Sequence, residues 1–291
     1  MQRLSTRQVY VVGSGTVRDA HVVHRDRLRH RAEHERSTDI ARVGEVCDPG
    51  ASRCPSSDPR RAYAGEVTPS DFSGPKRSDL PDLRDTIIVA AFEGWNDAGD
   101  AASDALQHLD AIWEADTLVE IDDEAYYDYQ VNRPVIRQID GVTRELVWPS
   151  MRVSHCRPPG SDRDIVLMHG VEPNMRWRTF CAELLAIADK LNVQTVVILG
   201  ALLADTPHTR PVPVSGAAYS SDSAKTFGLE ETRYEGPTGI AGVFQDACVQ
   251  AGIPAVTFWA AVPHYVSQPP NPKATVALLR RVAFGFGGCE T

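Results

Sequence analysis

The chain has 291 residues, of which 42% are hydrophobic and 24% are charged, an ordinary composition for a soluble globular protein. No apolar run approaches the ~20 residues that cross a membrane, and the first ten residues lack the apolar core of a signal peptide, so we expect a cytoplasmic protein. The net charge of −9 is uneven, because residues 85–291 hold 15 basic and 27 acidic residues, and this acidic part argues against nucleic acid as a partner.

Residues 1–82 differ in composition from the rest of the chain. They are rich in Arg, His, Ser, Pro and Asp, and apolar periodicity is absent after Val23. Such a segment cannot bury enough apolar surface to offset the entropy lost on ordering. We therefore expect a disordered extension and linker, or a wrongly assigned start codon, followed by a single α/β domain over residues 83–291.

Metal and cofactor motifs are not evident in the sequence. The six cysteines are scattered without a CxxC pair, and the four histidines within residues 21–34 lie in a stretch that predicts no supporting fold. Residues 10–15 imitate the start of a dinucleotide fingerprint, but Arg18 stands where the third glycine belongs. We expect neither a metal site nor a cofactor.

Strand and helix patterns alternate from Leu83 onward. Continuous apolar runs, which are typical of strands buried on both faces, predict strands over Ile87–Phe92, Asp164–Met168, Gln194–Leu199 and Ala255–Trp259. Apolar residues at helical spacing predict helices over residues 98–112, Arg176–Leu191, Thr238–Ala251 and from Ala274 to Val282.

A smaller β section is predicted in the middle of the chain. Thr117–Ile121 predicts a second strand, and the Asp140–Gly141 turn predicts a hairpin between Val135–Ile139 and Arg144–Trp148, with Met151–Cys156 as its extension. The whole order predicts a three-layer α/β/α domain with a mostly parallel mixed sheet and a small hairpin section.

Polar clusters follow the four buried strands directly. Ligands of such sheets bind outside the carboxyl ends of the strands, so the clusters are expected to share one rim. The candidate ligand- or partner-binding residues are Glu93, Trp95, Asp97, Glu172, Asp205, His208, Arg210, Glu235, His264 and Tyr265.

The cluster after the first strand has two interpretations. Glu93 and Asp97 could act as an acid–base pair, with Trp95 stacking on a ligand ring. Alternatively, Asn96 or Asp97 caps the following helix and Trp95 fills an interface. This structural alternative explains Asp97 and Trp95 more readily than it explains Glu93.

Two Pro-His sequences follow the later strands. The loop from Thr206 to Pro213 contains three prolines, and this stiffness suits the presentation of His208 and Arg210 to a partner or an anion. His208 and His264 could serve as general acids or bases. No nucleophile accompanies them, which favours a structural role for each histidine.

Two glutamates stand next to helix starts. Glu172 is placed to form an ion pair with Arg176. Glu235 lies in a glycine-containing turn, residues 234–240, that opens a helix whose free N–H groups would attract an anion. Capping of that helix by Thr238 would explain the turn equally well.

These segments together resemble the proteasome assembly chaperone 2 family in its actinobacterial branch. The segments that carry the resemblance are Phe92–Gly99, His169–Pro173, Gly200–Asp205 with Pro207–Pro211, Tyr234–Ile240 and Trp259–Tyr265. The resemblance implies a fold related to purine nucleoside phosphorylases, together with self-association or pairing with a paralogue. Its eukaryotic and archaeal members assist assembly of the proteasome α-ring, and no catalytic residues carry over.

The sequence therefore favours a non-enzymatic protein-binding module that resembles proteasome assembly chaperones. Its expected partners are itself or a paralogue, with proteasome α-subunits as a further candidate. Such chaperones often dock through a C-terminal hydrophobic-Tyr-any residue tail, which Gly287–Thr291 does not match. The alternative is a nucleoside- or phosphate-binding protein, or a hydrolase- or phosphorylase-like enzyme that uses the polar rim.

Overall fold

A computed structural model of the chain describes residues 81–121, 124–218, 221–227, 229 and 234–285. The predicted disordered extension, except for its last two residues, lies outside this part of the chain. The domain boundary at residue 82 therefore stays a prediction.

The described residues form nine strands and five α-helices. The strands are β1 (Ile87–Glu93), β2 (Asp116–Ile121), β3 (Val135–Gln138), β4 (Arg144–Val147), β5 (Met151–Cys156), β6 (Ile165–Val171), β7 (Thr195–Ala204), β8 (Val214–Ala218) and β9 (Ala255–Pro263). The helices are α1 (Ala101–Ile112), α2 (Trp177–Lys190), α3 (Ser221–Phe227), α4 (Ile240–Gln250) and α5 (Pro272–Gly285).

Seven of the strands form one mixed sheet in the order β2-β5-β6-β1-β7-β9-β8. The four central strands, β6, β1, β7 and β9, are parallel neighbours, while β5 and β8 pair antiparallel with their neighbours. The side chains of β1 from Ile87 to Phe92 are all buried. The apolar runs therefore mark strands covered on both faces, as the sequence predicts.

Helices cover the two faces of this sheet. Helices α2 and α4 pack on one face through a cluster that includes Phe92, Phe180 and Phe244, whose rings meet edge to face. Helices α1 and α5 pack on the other face around Leu106 and Leu278. These layers confirm the predicted three-layer α/β/α architecture with a mostly parallel mixed sheet.

Strand β5 corrects one sequence prediction. Met151–Cys156 was expected to extend the hairpin section, but it lies inside the main sheet, antiparallel to both β2 and β6. Its inward residues Met151 and Val153 are fully buried, and this burial outweighs the short connection from β4. Strand β8 and helix α3 were not predicted.

Strands β3 and β4 form the predicted separate hairpin. Asp140 fixes the turn, because its Oδ1 accepts hydrogen bonds from the N–H groups of Val142 (3.1 Å) and Thr143 (2.5 Å). Gly141 takes a positive φ of 81° there, which costs glycine little. The Asp-Gly signal in the sequence thus has a direct physical basis.

Candidate functional site

The four predicted polar clusters lie along one edge of the sheet. Strands β6, β1, β7 and β9 are parallel neighbours, so their carboxyl ends meet at the same edge. We call this edge the rim. It consists of residues 93–97, 171–172, 204–210 and 263–265.

Asp97 caps helix α1. Its Oδ1 accepts a hydrogen bond from the N–H of Ala102 (2.6 Å), and its Oδ2 accepts bonds from the N–H of Ser103 (3.1 Å) and from the Ser103 hydroxyl. Burial raises the pKa of the Asp97 carboxyl, and these donors work in the opposite direction. With only 4% of Asp97 exposed and both oxygens occupied, the capping alternative describes this residue.

The Glu172 carboxylate connects three separate segments of the chain. Its Oε1 accepts hydrogen bonds from the N–H of Ile240, the first residue of α4 (2.9 Å), and from Asn96 Nδ2 (3.1 Å). The N–H of Trp95 donates to the same carboxylate. Burial raises the pKa of Glu172, whereas these three donors lower it. Glu172 therefore joins the end of β6 to the turn after β1 and to the start of α4.

These bonds replace two local interactions that the sequence had indicated. Glu172 bonds to Ile240 and Asn96 instead of forming the ion pair predicted with Arg176, whose backbone is left-handed (φ 54°) before α2. Thr238 makes no capping bond to α4, whose first N–H is held by Glu172. An internal carboxylate thus occupies the helix start that was expected to attract an external anion.

Glu93 lies beside other carboxylates at the end of β1. Burial raises the pKa of its carboxyl, the negative charges of Asp97 and Asp100 raise it further, and the guanidinium of Arg137 on β3 lowers it. The hairpin therefore places a positive charge close to this corner of the rim.

A second group of candidates lies where β7 and β9 end. The Tyr265 hydroxyl accepts a hydrogen bond from the N–H of His208 (2.8 Å) and lies 3.1 Å from His208 Nδ1. The rings of His208 and His264 both meet the Tyr265 ring edge to face. Lys273 on α5 donates to the carbonyl oxygens of His208 (2.5 Å) and Arg210 (2.6 Å). These contacts hold the proline-rich loop against α5.

The candidate residues thus divide into two groups along the rim. Glu93, Asp97 and Glu172 belong to the β6–β1 corner, and His208, His264 and Tyr265 belong to the β7–β9 corner. The remaining candidates are exposed on the rim or on adjacent loops: Trp95, Asp205, Arg210 and Glu235.

One polar network was not predicted as a site. Arg152 on β5 donates to Asp110 Oδ2 on α1 (2.7 Å), and its guanidinium also lies 2.9 Å from His169 Nε2. Burial lowers the pKa of His169, and the Arg152 charge lowers it further. A guanidinium can only donate, so His169 Nε2 accepts the hydrogen bond from Arg152, and the network joins α1 to the sheet. No sequence signal links these residues, which lie on three different elements.

Metal-binding groups and the cavity described next do not point to a ligand site at the rim. Within the described ranges, no group of three or more His, Cys, Asp or Glu side chains is placed to hold a metal ion. A cavity of about 600 Å³ is lined by residues 81–83 and 189–192, which precede β1 and β7 and so lie at the opposite edge of the sheet. Among the described helices, none is long and apolar enough to span a membrane.

Replacing Asp97 by alanine is expected to lower the free energy of unfolding by about 2 kcal/mol, because two buried N–H groups at the start of α1 lose their acceptor. Asp97→Asn, which keeps one oxygen acceptor, should lose less. Chemical denaturation measures both changes, with the exposed Asp205→Ala as the matched control. Equal stability of Asp97→Ala and Asp205→Ala would contradict the capping role.

Comparison with known proteins connects this structure to two close relatives. A model of the PAC2 family matches residues 91–287. The crystal structure of a proteasome-assembly chaperone homologue of Mycobacterium tuberculosis is 84% identical, covering 68% of this chain and 84% of that chain with a TM-score of 0.63. A PAC2 family protein from Streptomyces avermitilis is 61% identical, with 69% and 85% coverage and a TM-score of 0.66.

A more distant relative shares the fold. PbaA of Pyrococcus furiosus, an archaeal homologue of proteasome-assembly chaperones, is 16% identical over 73% of this chain and 86% of that chain, with a TM-score of 0.53. A search of curated proteins found no match.

Proposed function

Because the chain belongs to the PAC2 family, we propose that it is a non-enzymatic, cytoplasmic protein-binding module that works in the manner of an assembly chaperone. The match to the family model confirms the family that the sequence motifs predicted. The partners we propose are further copies of the chain or a paralogue, with proteasome α-subunits as a third candidate.

The observation that carries this proposal is that two carboxylates of the rim bind N–H groups of the chain itself, while aromatic side chains of the rim are exposed. Asp97 and Glu172 both accept hydrogen bonds from N–H donors of their own chain, which supports a structural role for these two carboxylates. Aromatic side chains face solvent instead, with Trp95 50% and Tyr265 54% exposed. Exposed aromatic residues beside polar groups are typical of protein interfaces.

The strongest argument for the alternative function, small-molecule binding or catalysis, comes from the β7–β9 corner. His208, Tyr265 and His264 are in contact and reach solvent, as a small-molecule site would require. Lys273, however, donates to backbone carbonyls, so its ammonium serves to fix the loop. Arg210 would be the anion-holding group of such a site.

Thermal denaturation of the full chain with millimolar phosphate, nucleosides and sugars separates the two functions. We expect no ligand to shift the midpoint. A ligand present at 100 times its Kd would stabilise the fold by about 2.7 kcal/mol, so binding would be visible as a raised midpoint. A concentration-dependent rise that His208→Ala abolishes would contradict the proposal. His108→Ala, on the exposed face of α1, is the matched control.

A further inference from the structure

The β3–β4 hairpin exposes apolar side chains on both of its faces. The pair Ile136 and Leu146 lies on one face, with 62% and 48% exposed, while Val135 on the other face is 57% exposed. Val142 at the tip is 85% exposed. The same region also exposes Val131, Ile139 and Trp148.

An apolar hairpin of this kind gains almost no burial from its own domain. A two-stranded sheet is marginally stable alone in water, and among the described residues no third strand pairs with it. Its exposed apolar area is on the order of several hundred Å², which on a globular protein marks a contact surface.

The base of the hairpin is fixed to the loop that follows β6, next to the rim. The Trp148 ring contacts the Tyr129 ring, with 4.8 Å between centroids. Asn174, in the loop after β6, accepts hydrogen bonds from the N–H of Asp128 (2.8 Å) and from Asn132 Nδ2 (3.1 Å). The hairpin is thus held at its base while its strands and tip reach solvent.

Charge indicates what the hairpin contacts. Residues 131–148 contain three arginines and two acidic residues, a net charge of +1. The rest of residues 85–291 then holds 12 basic and 25 acidic residues, a net charge of −13. An apolar, weakly basic arm on a strongly acidic body is complementary to the body of another copy.

We propose that the β3–β4 hairpin is an arm that docks on the acidic body of a second copy of this chain. This inference rests on the proposed protein-binding function and gives it a surface and a partner. Each hairpin carries a net charge of +1, so charge favours a contact between the arm and an acidic body over a contact between two hairpins. Such a contact uses different surfaces on the two copies, and it closes into a ring when the rotation between copies allows.

The first test is sedimentation velocity of the full chain over a range of concentrations. We expect the wild type to associate and Ile136→Asp/Leu146→Asp to associate roughly a hundredfold more weakly, because docking would bury two unpaired carboxylates. Val276→Asp, at a 44% exposed valine on α5, is the matched control and should associate like wild type. Circular dichroism of the double variant verifies that the domain is folded.

The outcomes separate this inference from the proposed function. Association of the double variant at wild-type strength would overturn the role of the hairpin and leave the protein-binding function standing. A wild type that stays monomeric would overturn both the arm and self-association. Hydrogen exchange of residues 131–148 that is equally slow at all concentrations would show that the chain's own residues cover the hairpin, and would also overturn the inference.

A mixing experiment tests the direction of the contact. The double variant lacks a working arm but keeps the body that receives one, so mass spectrometry of its mixture with wild type should show complexes containing both chains. If the variant enters no complex while the wild type still assembles, the contact joins two hairpins and the arm-to-body arrangement is wrong.

Discussion

Glu172→Ala is expected to lower the free energy of unfolding by roughly 3 kcal/mol or more. The substitution removes the acceptor of the N–H groups of Ile240 and Trp95 and of Asn96 Nδ2. Each buried donor left without a partner costs about 1–3 kcal/mol. Chemical denaturation with a matched Glu235→Ala control, at an exposed glutamate five residues before Ile240, measures the difference.

A second variant distinguishes the structural role of Glu172 from a catalytic one. Glu172→Gln keeps an oxygen that can still accept from Ile240, so it should lose clearly less stability than Glu172→Ala. If Glu172→Ala proves as stable as Glu235→Ala, the carboxylate does not hold the three segments together, and it becomes available for chemistry at the rim.

Asp164→Asn is expected to remove about 2 kcal/mol of stability at neutral pH. Asp164, immediately before β6, is fully buried and accepts hydrogen bonds from Arg157 Nε (2.9 Å) and Nη2 (2.8 Å) and from the N–H of Arg84 (2.7 Å). Burial alone would raise the pKa of Asp164, but Arg157, Arg84 and His155 lower it to about 2. A shift of that size corresponds to about 2 kcal/mol.

The pH dependence follows from the sign of this shift. The folded-state pKa of Asp164 lies below the ordinary value of 3.8, so its contribution is complete above about pH 4 and is lost as the pH falls toward 2. Denaturation of wild type between pH 5 and pH 2 should show this loss, and Asp164→Asn should lack that component. The exposed Asp162→Asn should retain it, and identical profiles for all three proteins would contradict the account.

The central sheet could be predicted from sequence because its signals are local. The run Ile87–Phe92 is apolar without interruption, and a strand of that kind must be covered on both faces. Asp140–Gly141 likewise specifies its turn through bonds to residues two and three positions away. Capping of α1 by Asp97 is also local, since the N–H donors lie five and six residues along.

The errors concern partners that are distant along the chain. Glu172 bonds to Ile240, 68 residues away, and to Asn96, 76 residues away, so nearby Arg176 was the partner that the sequence could indicate. Strand β8 is a short edge strand of small residues, which carries little periodic signal. Tertiary packing likewise determines which apolar side chains are left exposed to solvent, such as those of the hairpin.

The most direct test of the protein-binding function is native mass spectrometry of the full chain, alone and mixed with proteasome α-subunits from the same source. We predict a defined complex, either of several copies of the chain or of the chain with α-subunits. A chain that remains monomeric in both samples would contradict the account. It would favour small-molecule binding at the rim, and His208 and His264 would be the first residues to replace.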